Sequence, residues 1–159
     1  MPRSFGHITL AAVGKVRERH WQAAQEEYVK RLGYYTDFRL VEVKDAVGKS
    51  LPDAVAVARE GELLLAAASR ASRVILMSAD GREMSSPELS IYLQSQLETH
   101  GELTFLIGGP LGFDSAVAVA AHDRLALSRM TLPHELARVV LLEQLYRAFT
   151  ILHGEPYHK

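Results

Sequence analysis

Five short apolar runs alternate along this chain with stretches whose apolar residues recur at helical spacing. That alternation restricts the folds open to it more than any single residue does. The strand candidates are His7 to Val13, Arg39 to Val43, Arg73 to Ser78, Leu103 to Ile107 and Arg124 to Leu127. Between them, Glu18 to Leu32 and Asp53 to Ala68 predict two helices. Ser86, Pro87 and Glu88 open a third, because a serine cap, a first-turn proline and an early carboxylate all suit a helix N-terminus, and Gly101 ends it. A fourth runs from about Asp114 to Ala121, and a long fifth from about Pro133 to Leu152 is stopped by Gly154 and Pro156. Strands joined through helices run parallel and need cover on both sides, so the expected class is α/β, a mostly parallel sheet with helices on both faces. No repeat, low-complexity segment or linker divides the chain. Lys44 to Pro52 reads as a polar surface connection without chemistry of its own.

A chain of 159 residues that is 48% hydrophobic and 23% charged describes one domain with enough length for a real core. It contains no cysteine, which excludes a disulfide framework, a thiolate metal site and a cysteine nucleophile together. No apolar run approaches the length of a membrane span, and MPRSFGHITL lacks the order of a signal peptide, so a cytoplasmic protein is expected. With 18 Lys and Arg against 19 Asp and Glu, the net charge is -1. Any polyanion must then be met locally rather than by a broad positive surface.

The stretch FLIGGPLGF, residues 105–113, begins as a strand with no polar side and becomes a turn containing three glycines and a proline. In an open parallel sheet, ligands bind beyond the carboxyl ends of the strands, where this loop must lie. The common phosphate motifs do not fit it. No Lys-Ser or Lys-Thr pair follows the glycines, the spacing is not that of a dinucleotide fingerprint, and the first strand is followed by Gly14, Lys15, Val16 and Arg17 without a second glycine. The loop is therefore either a tight strand-to-helix turn or a floor of bare backbone for a flat or extended ligand.

Two later stretches favour a floor. Ser128 to Leu132 forms a second loop rich in backbone donors, and chain order sets the two loops at neighbouring strand ends. The following helix carries Leu136, Val139, Val140, Leu142, Leu145, Tyr146 and Phe149, an apolar surface too wide for one sheet face, for which a second subunit is the simplest use. The chain closes GEPYHK, an unusual terminus because terminal residues are normally disposable.

The chain resembles, over its whole length, the ribosomal RNA large-subunit methyltransferase H family, the smallest of the SPOUT methyltransferases. The likeness is most specific in FLIGGPLGF, in LSRMTLPHELARVVLLEQLYRAF and in PYHK, three separated blocks in the family's order and spacing. It implies the SPOUT α/β-knot, a deep trefoil knot formed when the C-terminal helix threads beneath a loop. It also implies transfer of a methyl group from S-adenosylmethionine to N3 of pseudouridine-1915, in helix 69 of the 23S rRNA of the assembled ribosome. A homodimer in which one subunit's tail completes the other's site belongs to the same implication. No metal and no membrane are expected.

The resemblance also assigns residues. Leu76, Gly108 and the run Leu127, Ser128, Arg129, Met130, Thr131 and Leu132 would wrap the cofactor, with Gly108 and Gly109 allowing close backbone approach. Leu76 and Leu132 would be ordinary core residues without it. The sulfonium is already electrophilic, so the protein's main tasks are orientation and removal of the imide proton. His158 is the candidate for proton removal. Tyr157 would stack or hydrogen-bond, and Arg147 or Arg138 would hold phosphate or the anionic base. His134 and Lys159 complete the expected substrate contacts. Each has a plainer role: a terminal histidine is usually solvated, Arg147 lies one helical turn from Glu143, and His134 falls in the first turn of its helix.

Two rivals have different signatures. A flavodoxin-like enzyme would hold a nucleotide phosphate at the first strand-to-helix turn. A non-catalytic ribosome-associated module would bind the ribosome without consuming S-adenosylmethionine.

Overall fold

The computed structural model describes residues 5–158, apart from the side chain of His158. The elements are β1 (His7–Val13), α1 (Arg19–Leu32), β2 (Asp37–Val43), α2 (Asp53–Ala67), β3 (Arg73–Glu83), α3 (Ser86–His100), β4 (Glu102–Ile107), α4 (Ser115–Ala120), β5 (Asp123–Ala126) and α5 (His134–Leu152), with a 3-10 turn over Pro156–His158. The strands form one parallel sheet in the order β2-β1-β4-β3-β5.

Alternation along each strand sorts side chains to two cores. Ile8, Leu10, Ala12, Ile75, Leu103, Phe105 and Ile107 face α1, α3 and α5, where they meet Leu93, Leu97, Leu142, Leu145 and Phe149. Ala11, Val13, Val74, Leu76 and Leu106 face α2 and α4, packing on Leu64 and Val117. Every residue of β4 after Glu102 is buried, as expected for a strand covered on both faces.

Three features differ from expectation. β4 and β5 are not neighbours: β3 lies between them, so the two loops flank its carboxyl end. The order also differs from the 2-1-3-4-5 sheet of flavodoxin-like proteins, which removes that rival's framework. β3 continues past Ser78 to Glu83, with its register to β5 shifting between Met77 and Arg82. The cap of α3 is Ser85 rather than Ser86: its hydroxyl accepts from the Glu88 N–H while the Glu88 carboxylate accepts from the Ser85 N–H, a capping box that stabilises the end by about 1 kcal/mol.

α5 packs between α1 and α3, and this changes the meaning of its apolar width. Val139, Leu142, Leu145 and Phe149 are buried within the protomer, leaving Leu136, Val140 and Tyr146 half-buried. The sheet face alone would not cover the helix, but two flanking helices cover most of it.

Candidate functional site

The carboxyl ends of β3, β4 and β5 and the first turn of α5 enclose a cavity of about 560 Å³. That lies within the range of about 300–1,000 Å³ usual for small-molecule sites. Gly108, Gly109, Pro110 and Phe113 line one side, and Leu127, Ser128, Met130, Thr131 and Leu132 line another. Met77 to Asp80, Ile107, Gly112, Ala118, Arg124, Pro133, His134 and Ala137 complete it.

The glycine turn owes its composition to its own packing. A Cβ on Gly108 would stand 3.0 Å from the Gly112 carbonyl oxygen and 3.3 Å from the Phe113 ring. One on Gly109 would stand 3.0 Å from Glu60 Oε1 and 3.3 Å from Val13 Cγ1. Both vectors meet protein rather than a ligand's space, so the expected reason for these glycines is replaced: the turn folds back on itself, with the Gly112 N–H donating to the Gly109 carbonyl at 3.0 Å. Sequence reading missed Glu60, which is 1% exposed beneath this turn. Its Oε2 accepts from the N–H groups of Ala46 at 2.7 Å and Val47 at 3.1 Å, so the segment after β2 is tied to the cavity floor.

The opposite wall is a loop held by local bonds. The Ser128 hydroxyl accepts from the Met130 N–H at 3.0 Å, and Met130 is 77% exposed at the rim. Arg124 donates to Asp80 at 2.9 Å. Asp80 also accepts from the Ser78 hydroxyl, and that bond, with the Arg124 charge behind it, holds its carboxyl below the usual range. Sequence reading missed this pair, because Asp80 and Arg124 are far apart in the chain and meet only where β3 and β5 lie side by side.

The expected site residues separate into groups. Gly108, Gly109, Leu127, Ser128, Met130, Thr131, Leu132 and His134 line the cavity. Leu76 does not: its side chain is 1% exposed in the α2 and α4 core, and its neighbour Met77 reaches the cavity. Arg129 points outward beside Glu83 at 3.3 Å. Arg138 is 1% exposed and both its terminal nitrogens are used internally, with Nε buried without a partner: Nη1 bonds Glu42 at 2.5 Å and Gln25 at 3.3 Å, while Nη2 bonds the carbonyls of Gly14 at 2.9 Å and Val13 at 3.3 Å. It is a structural clamp at the end of β1, out of reach of a substrate in this protomer.

Arg147 and Tyr157 lie near the other end of α5. Arg147 donates to Glu143 through Nε at 2.9 Å and Nη2 at 2.5 Å, the plainer role expected of it. Its guanidinium also stands 4.9 Å over the Tyr157 ring, whose hydroxyl donates to Glu143 at 3.2 Å. Burial and the Tyr28 and Glu143 neighbours push the Tyr157 phenol well above its ordinary range. The His158 side chain and Lys159 lie outside the described residues.

Comparison with known proteins gives this geometry a lineage. A family profile described as a predicted SPOUT methyltransferase matches residues 7–158. Proteins named ribosomal RNA large subunit methyltransferase H are 42% identical in Ruminiclostridium cellulolyticum over 160 residues, 43% in Carboxydothermus hydrogenoformans over 157 and 45% in Anaeromyxobacter sp. over 152. Each comparison covers 96% of this chain and 99% of the relative. The solved structure of a probable methylase family protein from Haemophilus influenzae is similar in fold, with a TM-score of 0.52 at 14% identity, over 98% of this chain and 71% of that one. With the sheet, the cavity at its carboxyl edge and near-full-length relatives in agreement, the chain belongs to the SPOUT methyltransferases, in the ribosomal RNA large subunit methyltransferase H family.

Proposed function

We propose that this protein transfers a methyl group from S-adenosylmethionine to N3 of a pseudouridine, position 1915 in helix 69 of 23S rRNA, acting on the ribosome as a cytoplasmic homodimer. The observation that carries this reading is the cavity, walled by the two loops that match the family most specifically. Its lining suits the cofactor: Ile107, Leu127, Leu132 and Pro133 offer apolar surface for an adenine ring, while loop N–H and C=O groups and the Asp80–Arg124 pair suit the polar ends. Gly108, Gly109, Leu127, Ser128, Met130, Thr131 and Leu132 would hold it. When bound, it supplies an activated methyl group on a sulfonium. The protein's own part is to align the acceptor nitrogen and to take up or stabilise the charge left by its proton.

Arg147 and Tyr157 stand apart from the cavity within one protomer. His134 and Arg147 are thirteen residues apart on α5, about 20 Å at 1.5 Å per residue. This separation supports a site completed by Tyr157, His158 and Lys159 of a second copy, with His158 accepting the proton. The reading also includes the trefoil knot.

Incubation with tritiated S-adenosylmethionine and, separately, ribosomes, subunits and naked rRNA tests the reading. Label is expected in 23S rRNA of the assembled ribosome. Cofactor binding without label transfer to any of the three would reduce the protein to a binding module.

A further inference from the structure

The segment between β1 and α1 has no part in the cavity, yet it is built firmly. Val16 is 4% exposed; its N–H donates to Glu42 at 3.2 Å, and its carbonyl accepts from Gln22 at 2.8 Å. The Arg17 N–H donates to Glu135 at 2.7 Å, and Arg138 grips the Gly14 carbonyl from below. Glu135 follows His134, which lines the cavity, so the segment sits at the cavity's edge. A buried valine and four backbone bonds therefore fix a short loop whose other side chains face solvent.

The exposed side chains here are Lys15, Arg17 and Glu18, followed by Arg19 at the start of α1. None takes part in an ion pair within 4.0 Å among the described residues; the same holds of Lys30, Arg39, Lys44, Arg59, Arg70 and Arg73, but those do not fall three to a five-residue stretch. In a chain of net charge -1, three cations and one carboxylate within five residues, on a rigid loop and the first turn of α1 beside the cofactor cavity, leave a local excess of positive charge that can meet a polyanion. A fixed loop also loses little conformational freedom on binding.

We propose that this loop docks RNA, with Lys15, Arg17 and Arg19 contacting backbone phosphates of the segment that carries the target base. The proposal rests on the methyltransferase reading above. It assigns these cations to registering the RNA rather than to reading its sequence. It also gives Arg138 a positioning role, since that side chain holds the loop's first carbonyl.

The test compares the parent with the triple variant Lys15→Gln, Arg17→Gln, Arg19→Gln, and with Lys30→Gln, Arg70→Gln, which removes exposed cations at the opposite edge of the sheet. Methylation of ribosomes is measured across a salt series, with S-adenosylmethionine affinity measured alongside. For the triple variant, KM for ribosomes should rise tenfold or more, and the slope of log KM against log salt should fall by about 2 to 3, roughly one per lost phosphate contact. Cofactor affinity should not change. A KM and salt slope equal to the parent's, or an equal loss in the Lys30 and Arg70 variant, would overturn the proposal. Co-sedimentation of the same proteins with ribosomes reads docking without chemistry, so loss of the methyltransferase reading alone would leave this result standing.

Discussion

The two ends of α5 are built in opposite ways. At its N-terminal end, His134 faces a cavity whose walls are mostly loop backbone and apolar side chains. At its C-terminal end, the chain is held by aromatic rings and charged groups. Tyr157 packs edge-on against Tyr146, with ring centroids 4.7 Å apart, and bonds Glu143. Two residues earlier, Glu155 accepts the Tyr35 hydroxyl on both oxygens, at 2.7 and 2.8 Å, and Tyr35 stacks on Phe149 at 5.4 Å. The first end is a shape; the second is an anchored set of functional groups. A shape can hold a cofactor, but proton removal needs a titratable group placed at the reacting atom. Separation of the two along one helix is what a site shared between subunits would require.

The largest expected effect comes from removing the second end. Deletion of residues 157–159 should lower methyl transfer by about 10²–10⁴, the range for loss of a positioned base, while cofactor affinity by titration stays near the parent's. Parent-level methylation by the truncated protein would show that the tail has no catalytic part. The first end is probed by Gly109→Val. The branched side chain must displace Glu60 or Val13, so the turn should shift: cofactor Kd rises tenfold or more, and stability falls by about 1–3 kcal/mol, as in overpacked cores. An unchanged Kd in a folded variant would take the glycine turn out of the cofactor site. Together the pair sharpens the contrast, since one variant loses rate and the other loses affinity.

Much of the fold was legible because burial on both faces writes itself into local sequence. β1 runs from His7 to Val13 as its apolar pattern predicts, and α5 begins one residue after the proline that signals it. The strand order was not legible, since the pairing of β1 with β4 joins residues almost a hundred positions apart. The strand candidate stops at Ser78 because nothing in residues 79–83 shows that β5 will lie alongside. Arg138 on an apolar helix looked like a free cation. Its partners, Glu42 and the carbonyls of Val13 and Gly14, come from chain segments distant in sequence. The cavity loops could be found from their glycines and backbone donors, but the physical reason for Gly108 and Gly109 needed Gly112, Phe113 and Glu60 in place around them.

A mixed-dimer experiment tests the shared site most directly. At a cofactor concentration well below the raised Kd of the Gly109→Val protein, that protein and the protein lacking residues 157–159 are each expected to be nearly inactive on ribosomes. Mixed under conditions of subunit exchange, they form a heterodimer in which one intact cavity meets one intact tail. Activity should then return to about a quarter of the parent's, because half of the dimers are mixed and each carries one complete site. Recovery at that level supports a cavity and tail contributed by different protomers. A mixture that stays inactive despite exchange shown by differently tagged subunits would contradict it.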